Sequence, residues 1–103
     1  MKTLVEIQQI LQQKKPILVE KYGVKEMGVF GSYVRGEQKN TSDLDVLVEL
    51  EKPIRMDLIA FIEMEDYLSD LLGIKVDLVM KEDLKPRIGK HILNEVLSPT
   101  LSR

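Results

Sequence analysis

"GVFGSYVRGEQKNTSDLDVLVEL", residues 28–50, joins a turn rich in glycine and serine to an apolar segment that carries two aspartates one residue apart. Side chains alternate between the two faces of an extended strand. Asp43, Asp45 and Leu47 are therefore expected on one face of a strand, with Leu44, Val46 and Val48 on the other. A solvated edge strand would carry an isolated Asp-x-Asp equally well, so the meaning of the pair depends on the elements around it.

Upstream, "VKEMGVF" predicts a strand with Met27 and Val29 on one face and Gly28 and Phe30 on the other. Before it, Leu4, Ile7 and Leu11 recur at helical spacing. A second apolar set, Ile17, Leu18 and Tyr22, follows Pro16 and stops at Gly23, which predicts a helix broken before the proline. Downstream, "MDLIAFIEMEDYLSDLLG" predicts an amphipathic helix ended by Gly73. Its apolar stripe is read as Leu58, Ile62, Leu68 and Leu72, with Glu63, Asp66 and Asp70 opposite. The acidic run "EMED", 63–66, reads as solvated helix face, and Met56, Met64 and Met80 as packing residues. "IKVDLVM" predicts a third strand, and "PRIGKHILNEVL" a closing helix opened by Pro86.

The order is α-β-β-α-β-α. A helix between the second and third strands implies a crossover joining parallel neighbours, whereas the first two strands are too close in sequence for one. The expected fold class is α/β (α+β), a small mixed β-sheet covered by helices, in one domain over residues 1–103. A chain of this length buries about 65% of its unfolded surface, enough for one modest core.

In the third strand the same alternation groups Asp77 with Lys75 and Val79. If the second and third strands are adjacent and parallel, Asp77 approaches Asp45. Carboxylates roughly 5 Å apart repel by about 3 kcal/mol per pair at an effective dielectric of 20, so such a cluster calls for a positive charge. Two divalent ions about 3.5–4 Å apart, shared with substrate phosphates, make the clustering useful. Gly31 and Ser32 supply the complement: "SYVR" following a strand is expected to form a short helix whose free amides face a phosphate. Gly31 lets backbone approach the anion, and the Ser32 hydroxyl adds a donor. No "GxxxxGK" P-loop occurs.

The composition agrees with this chemistry. The chain has no cysteine and a single histidine, His91, which excludes disulfides and thiolate or histidine-rich zinc sites. Carboxylates favour hard ions such as Mg²⁺ or Mn²⁺. The first residues lack the apolar core of a signal peptide, and no run has the length of a membrane span, so the protein is expected to be soluble and cytoplasmic. With 15 basic and 17 acidic residues the net charge is −2, and no direct nucleic-acid partner is expected. Lys85, Arg87, Lys90 and His91 form a basic patch whose first reading is surface solubility, the other being contact with phosphates or a partner.

"GSYVRGEQKNTSDLDVLVEL" resembles the signature of the DNA polymerase beta-like nucleotidyltransferases, and most closely the minimal nucleotidyltransferases of prokaryotes. The "LLG" helix end, the "KVDLV" strand and the "LKPRI…IL" stretch have counterparts in the same order. The resemblance implies a nucleotidyltransferase fold with Asp43 and Asp45 as paired ligands of two Mg²⁺ or Mn²⁺ ions and Asp77 as the third catalytic carboxylate. It also implies that Gly31 and Ser32 contact the triphosphate of ATP. Arg35 has two uses open to it, contact with the nucleotide's phosphates or pairing with a carboxylate such as Glu37. The family further implies a role as an antitoxin that transfers AMP from ATP to a hydroxyl, a tyrosine of a cognate HEPN-domain toxin. The alternative is a non-catalytic antitoxin that neutralises its partner by binding alone. Nucleotide preference and self-association are left open by these residues.

Overall fold

The structure, a computed structural model, describes residues 3–31, 36, 43–54, 56–83 and 101–102. Helix α1 spans Leu4–Gln13 and begins in a capping box: the Glu6 N–H donates to Thr3 Oγ1 at 3.2 Å while Glu6 Oε1 accepts from the Thr3 N–H at 3.4 Å. These two bonds satisfy amides that the helix cannot reach itself. Helix α2, Lys15–Tyr22, follows after Lys14 alone, with Pro16 in its first turn and Gly23 closing it at φ 69°. The expected break before Pro16 is present. Ile7 and Leu11 of α1 and Leu18 and Tyr22 of α2 are buried.

Strand β1, Val24–Phe30, pairs antiparallel with β2, Leu44–Leu50, and β2 pairs parallel with β3, Val76–Met80. A two-residue strand β4, Leu101–Ser102, adds antiparallel to β1, giving the order β3-β2-β1-β4. The sheet is mixed, as expected, though β4 was not foreseen. In β2 the alternation is complete: Leu44, Val46, Val48 and Leu50 join the main core, while Asp45 and Glu49 are half-buried on the other face. In β1 a register shift between Val24 and Glu26 changes the parity, so that Val24 reaches the same core as Met27 and Val29. The first strand has the expected bounds, whereas the second and third were expected to start earlier than they do. Asp43 precedes β2, and β3 starts at Val76.

Helix α3, Leu58–Leu72, connects β2 to β3 and is capped by Asp57, whose Oδ1 accepts from the Ala60 N–H at 2.8 Å, and by Gly73 at φ 66°. Its buried stripe is Met64, Leu68 and Leu72, with Phe61 and Tyr67 packed alongside. The expected stripe is corrected here: Leu58 is 72% and Ile62 47% exposed. At 3.6 residues per turn Ile62 lies about 120° around the helix from Leu68, so residues chosen by hydrophobicity alone cannot all share one line. The reading of 63–66 as solvated is corrected in part. Met64 is buried, and Glu65 Oε2 accepts the Leu78 N–H at 2.9 Å. Met56, Met64 and Met80 pack in or against the core, as expected. The expected helices at 32–35 and 86–97, and the basic patch of Lys85, Arg87, Lys90 and His91, lie outside the described residues. Among those described, no helix is long and apolar enough to cross a membrane.

The corrected stripe predicts unequal truncation costs. Leu68→Ala is expected to lose about 3 kcal/mol of stability, the usual cost of a buried leucine cavity. Ile62→Ala is expected to stay within about 0.5 kcal/mol of wild type. Urea denaturation of both variants checks this, and equal losses would restore Ile62 to the core.

Candidate active site

The parallel ladder between β2 and β3 sets Asp45 opposite Asp77. Partners opposite each other in a parallel pair point to the same face about 4.8 Å apart, so the approach of Asp77 to Asp45 expected from alternation is realised. That face is the one turned away from the main core, since Leu44, Val46, Val76 and Leu78 occupy the other. Asp45 is half-buried and Asp77 exposed. Asp43, also exposed, stands immediately before the ladder, whose first bond runs from the Leu44 N–H to the Lys75 carbonyl at 2.8 Å.

Gly31 closes the arrangement from the β1 side. Phe30 is opposite Asp45 in the antiparallel register, which brings the next residue, Gly31, beside the same carboxylate. Its φ is +79°, and a β-carbon built there would collide with Asp45 Oδ2 and stand 3.1 Å from Asp45 Cγ. Glycine is required twice over, by the left-handed backbone and by the side chain pressed against it. The structure therefore brings Gly31, Asp45 and Asp77 together, with Asp43 at the entrance of the strand. Ser32 and Arg35 lie outside the described residues.

Among the described residues, no group of three or more carboxylates or histidines is assembled as a ready cage for a metal ion. The donor set still fits Mg²⁺ or Mn²⁺ in the manner these ions favour. Magnesium is usually held by one or two carboxylates, with substrate phosphates and water completing its octahedron, and the Asp45–Asp77 pair offers that number of oxygen donors on neighbouring strands.

A cavity of about 450 Å³ lies elsewhere, lined by Tyr22, Leu50, Lys52, Met56, Ala60 and Glu63 among others. It sits beyond the C-terminal end of β2. Five residues of strand, about 17 Å at 3.3 Å per residue, separate Leu50 from Asp45, so this hollow is not part of the carboxylate site. Glu65 and Ser69 of α3, which bond the backbone on either side of Asp77, were missed in the sequence. Only their spacing of four, which puts both on one helix face, could have drawn attention to them.

Comparison with known proteins bears on this geometry. Residues 11–98 match the family model described as a nucleotidyltransferase domain. The protein adenylyltransferase MntA of Thermococcus cleftensis is 55% identical over 97 residues, which cover 94% of this chain and 96% of that relative. A solved minimal nucleotidyltransferase superposes with a TM-score of 0.70 at 31% identity, covering 89% of this chain and 94% of that one. A chain from the complex of a tri-AMPylated Shewanella oneidensis HEPN toxin with its MNT antitoxin gives a TM-score of 0.57 at 22% identity, covering 93% of this chain and 73% of that one. At that identity the likeness is one of fold.

The glycines give a test of the crowding at Asp45. Gly36 also has a positive φ, 72°, but a β-carbon there would meet nothing within 4 Å. Gly36→Ala is expected to cost about 1 kcal/mol, the backbone penalty alone. Gly31→Ala is expected to cost at least about twice that, because the Asp45 side chain must also move. Equal losses in urea denaturation would show that Asp45 does not press on residue 31.

Proposed function

Because the chain belongs to the nucleotidyltransferase-domain family, matched over residues 11–98, we propose that it is a protein adenylyltransferase that moves AMP from ATP to a hydroxyl of a cognate HEPN-domain toxin and so serves as its antitoxin. The observation that carries this reading is the register of Asp45 with Asp77, with Gly31 packed against Asp45. The name of the Thermococcus relative supports the adenylyl transfer, and the AMPylated toxin bound to its antitoxin supports the kind of partner.

In this reading the acceptor is a tyrosine hydroxyl. Its oxygen bonds to the α-phosphorus of ATP as the bond to the bridging oxygen of pyrophosphate breaks, giving an AMP ester and pyrophosphate, with the hydroxyl proton released. Asp43, Asp45 and Asp77 would hold Mg²⁺ or Mn²⁺, which when bound neutralises triphosphate charge and lowers the barrier to displacement. Gly31 lets the backbone lie against Asp45 and approach the triphosphate, and Ser32 donates a hydrogen bond to it. Half-buried Asp45 is the anchored member of the pair. Exposed Asp77 is the one open to an incoming hydroxyl and takes its proton. Arg35 is assigned to phosphate contact. The toxin surface brings its tyrosine to the site, and such positioning lowers a bimolecular barrier by several kcal/mol.

Incubating the HEPN partner with ATP, Mg²⁺ and this protein should raise the partner's mass by one or more AMP units. The Asp43→Asn, Asp45→Asn double variant should leave it unchanged. A partner modified equally by the double variant would remove the carboxylates from the chemistry. If that variant instead fails to modify the toxin but neutralises it in cells as well as wild type, binding alone is the antitoxin mechanism.

A further inference from the structure

Strand β3 is at the edge of the sheet. An edge strand leaves every second amide pointing away from its neighbour. The Leu44 N–H bonds to the Lys75 carbonyl, and this phase turns the amides of Val76 and Leu78 outward. Neither is left to solvent. The Val76 N–H donates to Ser69 Oγ at 3.0 Å and the Leu78 N–H to Glu65 Oε2 at 2.9 Å. The Ser69 hydroxyl in turn donates to the Glu65 carbonyl at 2.9 Å, which fixes its rotamer with a lone pair towards Val76.

The match is metric. Residues four apart on a helix rise about 6 Å, and amides two apart on a strand are about 6.6 Å apart. One turn of α3 therefore spans one repeat of the β3 edge. All three bonds are partly buried, where a hydrogen bond to a carboxylate is stronger than a neutral one. The residue between the two clamped amides is Asp77. Its own side chain is exposed while its flanks Val76 and Leu78 are buried, so the carboxylate is held through the backbone alone. The ladder to β2 and the buried flanks set the register, and the bonds from α3 on the outer edge hold the strand's remaining freedom around Asp77.

We infer that Glu65 and Ser69 are positioning residues for Asp77: by holding the outward amides of Val76 and Leu78, they fix where the Asp77 carboxylate meets Asp45. The inference rests on the proposed role of Asp77 in adenylyl transfer. It predicts that Glu65→Ala, Ser69→Ala lowers the transfer rate at saturating ATP at least tenfold, with little change in the KM for ATP. Glu65→Gln, which keeps an oxygen acceptor, should recover to within about threefold of wild type. Amide hydrogen exchange, read by NMR without nucleotide or metal, should accelerate at Val76 and Leu78 in the double alanine variant.

Thermal unfolding separates this from a merely structural role, which would lower the melting temperature while leaving the rate per folded molecule unchanged. If the double variant does not fold, Ser69→Ala alone must show the same pair of effects at Val76, with at least a threefold loss of rate. The inference is overturned if exchange at these amides accelerates and transfer stays at the wild-type rate, or if Glu65→Gln is as slow as the alanine variant. Asp77→Asn is the control: full activity in that variant would fail the proposed site itself, whereas an inactive Asp77→Asn beside fully active Glu65 and Ser69 variants would fail only the positioning.

Discussion

The parallel pairing of β2 with β3 is the constraint on which the rest of the structure depends. Parallel neighbours require the chain to return to the starting end of the first strand, and α3 provides that return. Its 15 residues span about 22 Å at 1.5 Å per residue, close to the roughly 23 Å of the seven-residue β2. Val76 consequently arrives level with Leu44, and one step later Asp77 arrives level with Asp45. A strand entering one residue out of phase would turn Asp77 into the core and Val76 to solvent, an exchange the apolar cluster forbids. The same burial that stabilises the sheet therefore places two like charges side by side.

Cost and use are coupled at this point. Two carboxylates at neighbouring positions repel, and Gly31 adds crowding by pressing backbone against Asp45 in a conformation that side chains rarely adopt. Local sequence preferences alone would favour neither feature. Their coincidence at one end of β2, opposite the end that carries the cavity, is the physical basis for assigning chemistry to this end, and membership of the nucleotidyltransferase-domain family gives that chemistry its class.

Much of this was legible in the residues. Alternation in "SDLDVLVEL" and "KVDLV" sorted the aspartates onto one face, and the helix between them implied the parallel register that brings Asp45 to Asp77. Pro16 and Gly23 marked the limits of α2. Other features needed the three-dimensional arrangement. Leu58 and Ile62 looked like core because hydrophobicity does not reveal which arc of α3 the sheet covers. Glu65 looked like solvated surface because its partner, the Leu78 amide, is 13 residues away and is made available only by the edge position of β3. Strand β4, two residues long, is too short to show any period. Asp43 was assigned to a strand that begins one residue later, since the first ladder bond is made by Leu44.

The central claim is that the Asp45–Asp77 pair directs transfer of the α-phosphoryl group of ATP, with its nucleoside, onto protein. The most direct measurement follows two labels in parallel, ATP carrying radioactive phosphorus at the α position and ATP carrying it at the γ position, each incubated with this protein, Mg²⁺ and the HEPN partner. The account predicts stable labelling of the partner from the α position, none from the γ position, and none from either when Asp45 is replaced by asparagine. Label arriving from the γ position, or α label arriving undiminished with Asp45→Asn, would contradict it.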